Sequence, residues 1–346
     1  MAQIKIIGKN TKILTNFAAL SKNIDSQQMK RFLFLWFVML PMFASAQLFA
    51  CKDVVEDGYD FWLYLPDDYN AYNPKPVVMF LHGRSLSGEN LALVRHYGCI
   101  NALERGLCID AIVVAPQAQH AWDPAKVDKL YEWVRAHYAV DTNRFYVVGM
   151  SMGGFGTLDF VATYPDKVAA AMALCGGATA HDLCGLTEVP LWIIHGMADR
   201  AVPVGRSEKV VQAMAACGDT SRLIFNKIPK VNHTRLARVF YLEQTYDWLF
   251  SHTLADSDRT VNKSFEMSDA ILADAYNKLE NVNRLVVKDF ASSPYNYDGK
   301  KYYIVKKGDT LEQIAVENST TVSIIRKLNK LKKNDRLYAG KKLRVR

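Results

Sequence analysis

The chain has 346 residues, of which 50% are hydrophobic and 23% charged. This composition excludes a disordered or fibrous protein, and the length is sufficient for one large α/β domain and a second, smaller domain. The formal net charge of +8 comes from the end of the chain, since residues 300–346 hold fourteen Lys or Arg and four Asp or Glu. A basic tail without a nucleic-acid-binding motif favours a polyanionic cell-wall or membrane surface, and not nucleic acid, as its neighbour.

The first fifty residues carry the pattern of a secretory signal peptide. Met29-Lys30-Arg31 precedes an apolar run over Phe32–Leu40 and the small-residue site Ala44-Ser45-Ala46. We therefore expect translation to start at Met29, with residues 1–28 as an upstream extension of the reading frame. Residues 29–46 would then be a signal peptide that is cleaved after Ala46. The apolar run is too short to span a bilayer comfortably, although an uncleaved anchor is the alternative. The predicted localisation is outside the cytoplasm.

All six cysteines follow this signal, which permits disulfides in an exported chain. Spacing favours a local bridge between Cys175 and Cys184, and the alternative is that several cysteines are buried small apolar residues. A second processing pattern, Leu48-Phe49-Ala50-Cys51, resembles a lipobox and would attach a lipid to Cys51, although the bulky Phe49 fits it poorly. Neither the cysteines nor the histidines show metal-ligand spacing, so we expect no metal and no cofactor.

Apolar, β-rich runs alternate with helical patterns from residue 59 onward. Continuous runs without polar alternation are typical of strands that are buried on both faces. Asp123-Pro124 supplies an N-cap and a first-turn proline for one of the helices between them. This alternation predicts an α/β fold in which helices cover both faces of a mostly parallel sheet. The predicted strands are Tyr59–Leu65, Val77–Leu81, Ala111–Ala115, Phe145–Val148, Ala169–Leu174, Leu191–His195 and Leu223–Ile228.

The pattern weakens after about Leu254. We therefore assign residues 47–254 to the main domain and residues 255–300 to a linker with some local structure. A further helix is predicted over Val239–Leu249, and the linker contains a possible helix over Ser268–Glu280.

One predicted strand ends at Gly149-Met150-Ser151-Met152-Gly153, and a helical segment follows at once. Gly-x-Ser-x-Gly at such a turn is typical of a nucleophile elbow, which holds a serine in a strained, exposed conformation. Glycine is needed two residues on either side because a Cβ there would collide with the neighbouring strand and helix. The pentapeptide also occurs by chance, so it is informative only when an acid and a histidine follow in order.

Both partners follow. Asp199 comes just after a predicted buried strand, and His233 lies in a loop after the next one. Serine, acid, histidine is the chain order of α/β-hydrolase triads. In that chemistry His233 would accept the proton of Ser151 and pass it to the leaving group, while Asp199 would orient the imidazole and stabilise its charged form.

An oxyanion hole is the fourth part that this chemistry needs. We expect its donors to be the backbone N–H groups of Met152 and Arg84, with Ser85 as the less favoured alternative to Arg84. The Arg84 guanidinium either faces the pocket, where it would prefer an acidic substrate, or lies on the surface, which we favour. Three residues are candidates for the pocket wall: His82, His120 and Trp122. For His120 and Trp122 a purely structural role is the alternative. For His82, as for His195, we favour the structural role, because each closes a strand before a glycine turn.

Residues 51–254 resemble the α/β-hydrolase esterases that include polyhydroxybutyrate-depolymerase-like, feruloyl-esterase-like and prolyl-oligopeptidase-type enzymes. The likeness rests on Leu81-His82-Gly83, on the serine elbow, on His195-Gly196-x-x-Asp199-x-x-Val202-Pro203 and on His233. Where many of these relatives have a small residue, this chain has Arg84. The resemblance implies a carboxylic ester hydrolase for acyl esters, such as acetyl or feruloyl groups on carbohydrate. A serine peptidase of the prolyl-oligopeptidase type and a non-catalytic protein on a hydrolase scaffold are the alternatives.

Residues 301–346 resemble a lysin-motif (LysM) domain. Thr310 and Thr321 are suited to cap two helices between two short strands, which predicts a βααβ unit. The resemblance implies binding to peptidoglycan or another glycan that contains N-acetylglucosamine, and the alternative is a LysM-shaped spacer that binds nothing. The glycan-binding residues implied by the resemblance are Gly308, Asp309, Thr310, Leu311, Asn329, Lys330, Leu331 and Lys332.

Overall fold

The structure is a computed structural model that describes residues 46–277, 279, 285–289, 302–306, 308–318, 320–332, 335 and 337–345. The predicted upstream extension and all but the last residue of the predicted signal peptide lie outside the described residues. The same holds for residues 278, 280–284 and 290–300 of the predicted linker. Within the described part of the chain, no helix combines the length and apolar character that crossing a membrane requires.

A nine-stranded sheet forms the centre of the region between residues 47 and 289. Its strands are β1 Gln47–Cys51, β2 Asp60–Leu65, β3 Lys75–Leu81, β4 Ile112–Gln117, β5 Val140–Met150, β6 Ala170–Leu174, β7 Leu191–Gly196, β8 Leu223–Ile228 and β9 Val286–Asp289. They lie side by side in the order β8-β7-β6-β5-β3-β4-β2-β1-β9. β2 runs antiparallel to β1 and to β4, and all other neighbours are parallel.

Helices cover both faces of this sheet. On one face, Val78 and Phe80 of β3 belong to a core shared with α1, α5 and α6, and on the other face Val77 and Met79 share a core with α2, α3 and α4. Each apolar residue of β3 is thus buried, whichever face it points to, which explains the continuous apolar run. The α-helices are α1 Cys99–Glu104, α2 Pro124–His137, α3 Met152–Thr163, α4 Gly205–Ala216, α5 Glu243–Phe250 and α6 Asp269–Asp274. Short 3-10 helices span Arg84–Leu86, Leu91–Arg95, Pro165–Lys167, Cys184–Glu188 and Thr234–Tyr241.

The predicted α/β fold with a mostly parallel sheet is confirmed, and the seven predicted strands correspond to β2 through β8. The sequence does not predict β1, whose residues adjoin the proposed cleavage site, or β9, which lies in a weakly patterned segment. Two predicted helices differ in extent. The one expected over 239–249 begins as a 3-10 helix and becomes α5 only at Glu243, and the one expected over 268–280 is the shorter α6, capped by Ser268.

Part of the predicted linker packs on the sheet. The ring of Phe265 lies 4.8 Å from that of Trp192, in an edge-to-face arrangement. Arg259 donates hydrogen bonds to the carbonyl oxygens of Val168 and Ala169, and Met267 is buried in the core. Residues 255–277 therefore contribute to the stability of the larger unit.

The disulfide prediction is wrong. The bond joins Cys184 to Cys217, with 5.4 Å between their Cα atoms, and Cys175 is a free, buried cysteine. Strand direction explains the difference: Cys175 follows the carboxyl end of β6, whereas Cys184 lies on the return to the opposite edge of the sheet, where β7 begins. α4 runs back toward that same edge and ends at Cys217. Because the bond closes a loop with a sequence separation of 33, we expect it to stabilise the fold by roughly 3–4 kcal/mol.

Residues 302–345 have a small core of their own. β10 Tyr302–Ile304 pairs antiparallel with β11 Lys342–Arg344, and α7 Leu311–Glu317 and α8 Val322–Leu328 come between them in the chain. Thr310 and Gln313 form a reciprocal capping box at α7, and Thr321 caps α8. Each cap satisfies N–H groups that the first turn of a helix leaves without partners. The predicted βααβ unit is confirmed.

Candidate active site

Ser151 lies at a sharp turn between β5 and α3. Its φ of +58° is in the left-handed region, which L-residues with a side chain rarely adopt. The turn is closely packed: a Cβ on Gly149 would lie 2.3 Å from the carbonyl oxygen of Gly153, and one on Gly153 would lie 1.8 Å from that of Leu81. The two glycines therefore allow the helix to approach the strands, which holds the serine backbone in its strained conformation.

Asp199 and His233 are brought together at the carboxyl edge of the sheet. The Nδ1 atom of His233 lies 2.6 Å from Oδ2 of Asp199. The other carboxylate oxygen of Asp199 accepts hydrogen bonds of 2.9 Å from the backbone N–H groups of Ala201 and Val202. The Asp199 side chain is fully buried, so these bonds replace the water that an ionised carboxylate would otherwise require.

The hydrogen bond to Asp199 fixes the tautomer of His233. A carboxylate only accepts hydrogen bonds, so Nδ1 must carry the proton, and the neutral ring then has an unprotonated Nε2. That nitrogen is the atom that can accept a proton from a hydroxyl group. His233 lines the same cavity as Ser151 and is partly exposed there.

A second histidine lies next to the acid. Nε2 of His195 is 3.6 Å from the Asp199 carboxylate, but its hydrogen bond of 2.8 Å goes to the carbonyl oxygen of Val202. Nδ1 of the same ring lies 2.8 Å from Oγ of Ser207. Burial lowers the pKa of His195, so near neutral pH the ring is uncharged and its approach to Asp199 is not an ion pair. Its role is to hold the turn that carries the acid.

The cavity at Ser151 has a volume of about 1050 Å³. Large side chains of Trp122, Met152 and Phe155 form part of its wall, and His120 also lines it. Arg84 lines the cavity and is also exposed to solvent.

A second cavity, of about 530 Å³, adjoins the first and shares three lining residues with it, Gln119, His120 and Ala121. Most of its other lining residues are polar or charged. They include Asp53, Tyr59, Asp60, Glu89, Asp123 and Lys126. The two cavities together thus offer an apolar chamber beside the serine and a polar chamber next to it.

The predicted oxyanion donors sit at helix starts. Arg84 is the first residue of a 3-10 helix and Met152 is the first residue of α3. N–H groups in the first turn have no partner within their helix, so they are free to bind an anion. The N–H of Gly83 is not available, because it donates a hydrogen bond of 2.8 Å to the hydroxyl oxygen of Tyr97. Tyr97 lines the cavity, and no motif or spacing in the sequence identifies it as a residue of the site.

His82 lies behind the cavity wall, and its assignment to the pocket is corrected. The side chain is fully buried, with Nδ1 2.8 Å from the carbonyl oxygen of Gly83 and Nε2 accepting the N–H of Ala118 at 3.0 Å. Trp122, which does line the cavity, donates from its indole N–H to the carbonyl oxygen of His82. His82 therefore ties the loop after β3 to the segment after β4.

We expect protonation of His82 to destabilise the fold. Burial lowers its pKa from 6.5 to about 4, so between these values the unfolded chain binds more protons than the folded one. The free energy of unfolding should therefore fall as the pH drops from 6.5 toward 4, by up to about 1.4 kcal/mol per pH unit. Urea unfolding at pH 7, 6 and 5 measures this slope before most carboxylates titrate.

The matched variant is His82→Gln, which keeps an amide near the same partners but does not titrate. Its slope over this pH range should be smaller than that of the wild type, although not zero, because burial also lowers the pKa of His195 and of His252. An identical slope in both proteins would show that His82 does not contribute.

Cys175 is a residue of the site that the sequence interpretation missed. It follows β6 directly, is fully buried and has a φ of +39°. Its Sγ, a carboxylate oxygen of Asp199 and a ring nitrogen of His233 all lie within 4.8 Å of one another. Burial, together with the charge of Asp199, raises the pKa of the thiol, so it is protonated at neutral pH. The sequence allows a prediction of the edge at which Cys175 lies, because the residue after a buried parallel strand lies at the same edge as Asp199, but it does not predict that the two are neighbours.

The structure also places the predicted glycan-binding residues. Several use their side chains inside the fold: Leu311 is in the core, and Asn329 exchanges hydrogen bonds of 2.7 Å with the backbone of Arg344. Asp309 accepts hydrogen bonds from the N–H of Lys306 and the hydroxyl of Tyr303, Thr310 caps α7, and Leu331 packs against the core. The others are exposed: Gly308, Lys330 and Lys332.

Two family models match the chain. Residues 54–223 match the esterase family described as "Putative esterase", and residues 303–346 match the LysM domain. The first match includes β2 to β7 and the serine elbow, and the second spans the βααβ unit.

Curated relatives and a solved structure agree with these matches. "Probable feruloyl esterase C" of Aspergillus niger is 27% identical over 154 residues, which cover 42% of this chain and 57% of the relative. The protein of the same name from Aspergillus clavatus is 27% identical over 167 residues, covering 45% and 61%. The chain thus spans about three fifths of the length of these relatives. A crystal structure of a thermostable esterase superposes with a TM-score of 0.50 at 23% identity, over 61% of this chain and 64% of that one, which supports the fold.

Proposed function

We propose that this chain, an esterase-type α/β-hydrolase domain followed by a C-terminal LysM domain, is an exported serine esterase that hydrolyses acyl esters. The observation that carries the proposal is the pairing of Asp199 with His233 at 2.6 Å, at a cavity that also contains the strained Ser151. A histidine held in this tautomer by a buried carboxylate is the base that a serine nucleophile requires.

In the proposed reaction, Nε2 of His233 takes the proton of the Ser151 hydroxyl as its oxygen attacks the ester carbonyl. The N–H groups of Met152 and Arg84 stabilise the oxyanion that forms, and Asp199 stabilises the imidazolium. His233 then gives the proton to the leaving alcohol, which departs and leaves an acyl group on Ser151. Water, from which His233 takes a proton, attacks the carbonyl carbon of the acyl group. The bond to Ser151 breaks, the carboxylic acid leaves, and His233 returns the proton to the serine oxygen.

The two cavities favour an ester between an organic acid and a carbohydrate. The chamber beside Ser151 has aromatic and aliphatic walls suited to an acyl group of the acetyl or feruloyl type. The adjoining chamber contains carboxylates, which can accept hydrogen bonds from sugar hydroxyls, and Tyr59, whose hydroxyl can donate one. The names of the curated relatives are in line with this substrate class.

The domain boundaries and the location are part of the proposal. We assign residues 29–46 to a signal peptide and 301–346 to the LysM domain. The catalytic domain begins at residue 47 and extends past the predicted boundary at residue 254 to residue 289, because α6 and β9 pack with the sheet, and residues 290–300 form the connection. A disulfide and a LysM domain are both typical of proteins outside the cytoplasm. Binding of LysM to a glycan such as peptidoglycan would raise the effective concentration of glycan-linked esters near Ser151.

Lipid attachment at Cys51 fits the structure poorly. A lipidated cysteine would be the first residue of the mature chain, and residues 47–50 would be lost. Those residues belong to β1, where Leu48 and Phe49 are fully buried between the helices and the sheet, as is Cys51. Cleavage after Ala46 would leave the whole of β1 in place.

The experiment that tests the proposal is a substrate panel for the secreted protein. We expect turnover of aryl acetates, of a feruloyl ester and of acylated glycans, without cleavage of peptide anilides. A fluorophosphonate probe should label Ser151 in the folded protein. Anilide cleavage at a comparable rate would favour the peptidase alternative, and absence of both labelling and turnover would favour a non-catalytic scaffold.

A second arm compares the intact protein with one that ends at residue 300. We expect equal rates on small aryl esters and a slower reaction of the shortened protein on insoluble acylated glycan. Equal rates on both substrates would contradict the glycan-binding part of the proposal and leave the esterase part standing.

A further inference from the structure

We propose that Cys175, Asp199 and His233 together form an inhibitory site for a thiophilic divalent cation such as Zn²⁺. The inhibitory effect rests on the proposed function, since two of the three ligands belong to the proposed triad. Binding of the cation does not rest on it, because it requires only the geometry of the three side chains.

The ligand set and its dimensions suit zinc. Zn²⁺ binds thiolate sulfur, imidazole nitrogen and carboxylate oxygen at about 2.0–2.3 Å, which puts tetrahedral ligand atoms roughly 3.3–3.8 Å apart. The three candidate atoms lie within 4.8 Å of one another, so shifts of about 1 Å bring them into range. The closest pair, Nδ1 of His233 and Oδ2 of Asp199, is 2.6 Å apart and has to open slightly.

The charges balance when a divalent cation binds. In the bound state Cys175 coordinates as a thiolate and Asp199 as a carboxylate, so two negative ligands meet two positive charges in a buried place. A neutral cluster avoids the cost of burying a net charge, which selects divalent over monovalent cations. His233 lines the cavity with its side chain 20% exposed, so the cluster adjoins the cavity through this ring.

The position of the cation explains why it would inhibit. It replaces the proton that His233 now donates to Asp199, and Nδ1 becomes a metal ligand. The carboxylate then neutralises the cation and no longer stabilises an imidazolium. His233 is also held away from its catalytic orientation. Removal of the cation by a chelator restores the hydrogen bond.

The first experiment titrates Zn²⁺ into the aryl-ester assay of the full-length protein. We expect Zn²⁺ to inhibit the reaction and EDTA to reverse the inhibition. With each protein normalised to its own zinc-free rate, the Zn²⁺ concentration that gives half-maximal inhibition should be at least tenfold higher for Cys175→Ala. The reason is that even changes outside the shell of direct ligands weaken metal sites by about 10–100-fold. Cys108→Ser is the matched control: Cys108 is a free thiol on the surface, and its loss should leave the midpoint unchanged. Equal midpoints for wild type and Cys175→Ala would overturn the proposal.

The second experiment detects binding without activity. Co²⁺ bound to a thiolate gives a sulfur-to-metal charge-transfer band in the near ultraviolet, and we expect this band in the wild type and in Ser151→Ala but not in Cys175→Ala. Cys175→Ser serves as a second variant, with thermal unfolding to confirm that both are folded. A band in a protein without esterase activity would leave the metal site standing while the proposed function fails. A band that persists in both Cys175 variants would overturn the site.

Discussion

Replacing Ser151 with alanine should lower kcat on aryl esters by about 10⁴–10⁶-fold, with little change in the folded structure. The reason is that covalent catalysis ends when the attacking oxygen is removed, while the cavity and the oxyanion donors persist and keep a small residual rate. Alanine retains a Cβ, so the strained backbone at φ +58° is as costly in the variant as in the wild type. Steady-state kinetics on 4-nitrophenyl acetate measure the loss.

Ser264→Ala is the control, since Ser264 is exposed and its hydroxyl hydrogen-bonds to Asn262. It should keep the wild-type rate. If Ser151→Ala retained more than a tenth of the wild-type kcat with unchanged burst kinetics, the serine would not be the nucleophile.

Asp199→Asn should lower kcat by about 10⁴-fold, or roughly 5 kcal/mol in transition-state stabilisation. The amide oxygen can still accept the N–H groups of Ala201 and Val202, which places the NH₂ group toward Nδ1 of His233. An N–H donor at that point favours the tautomer in which Nε2 carries the proton, and Nε2 then cannot accept one from Ser151. KM should change little, because the substrate does not touch the buried carboxylate.

A second buried carboxylate provides the matched control. Asp159 lies beside the same cavity, but its oxygens accept hydrogen bonds from the N–H and hydroxyl of Thr179 and from the N–H of Ala180. Asp159→Asn should lower the unfolding temperature and change kcat by less than about tenfold. A kcat for Asp199→Asn as high as that of Asp159→Asn would mean that another group orients His233.

The residues of the proposed triad could be predicted because each follows a strong local pattern. The serine lies in an elbow whose two glycines are required by contacts of 2.3 Å and 1.8 Å that their Cβ atoms would make. Asp199 and His233 each follow a buried apolar strand, and parallel strands bring their carboxyl ends to one edge. The order of the three residues along the chain and the apolar pattern of the strands before them were therefore sufficient to predict that they meet at one edge of the sheet.

The features that escaped prediction depend on contacts between distant segments. The sequence around Cys175 does not distinguish it from a cysteine with a purely structural role. Its place beside Asp199 follows only from the order of β6 and β7 in the sheet. The pairing of Cys184 with Cys217 depends on where α4 ends. The hydroxyl oxygen of Tyr97 accepts a hydrogen bond from the backbone N–H of Gly83, and such a contact produces no periodic pattern in the sequence.

β9 has a consequence for any fragment made of this protein. β1 consists of the residues Gln47–Cys51, which carry no charge, and β9 covers its outer side in a parallel pairing. An uncharged edge strand is a template for pairing with a second chain, and the pairing with β9 removes β1 from the edge of the sheet. A catalytic fragment that ends at Leu254 would expose β1 and is expected to aggregate more than one that ends after Asp289, in which β1 keeps its partner. Light scattering of the two fragments at equal concentration measures the difference.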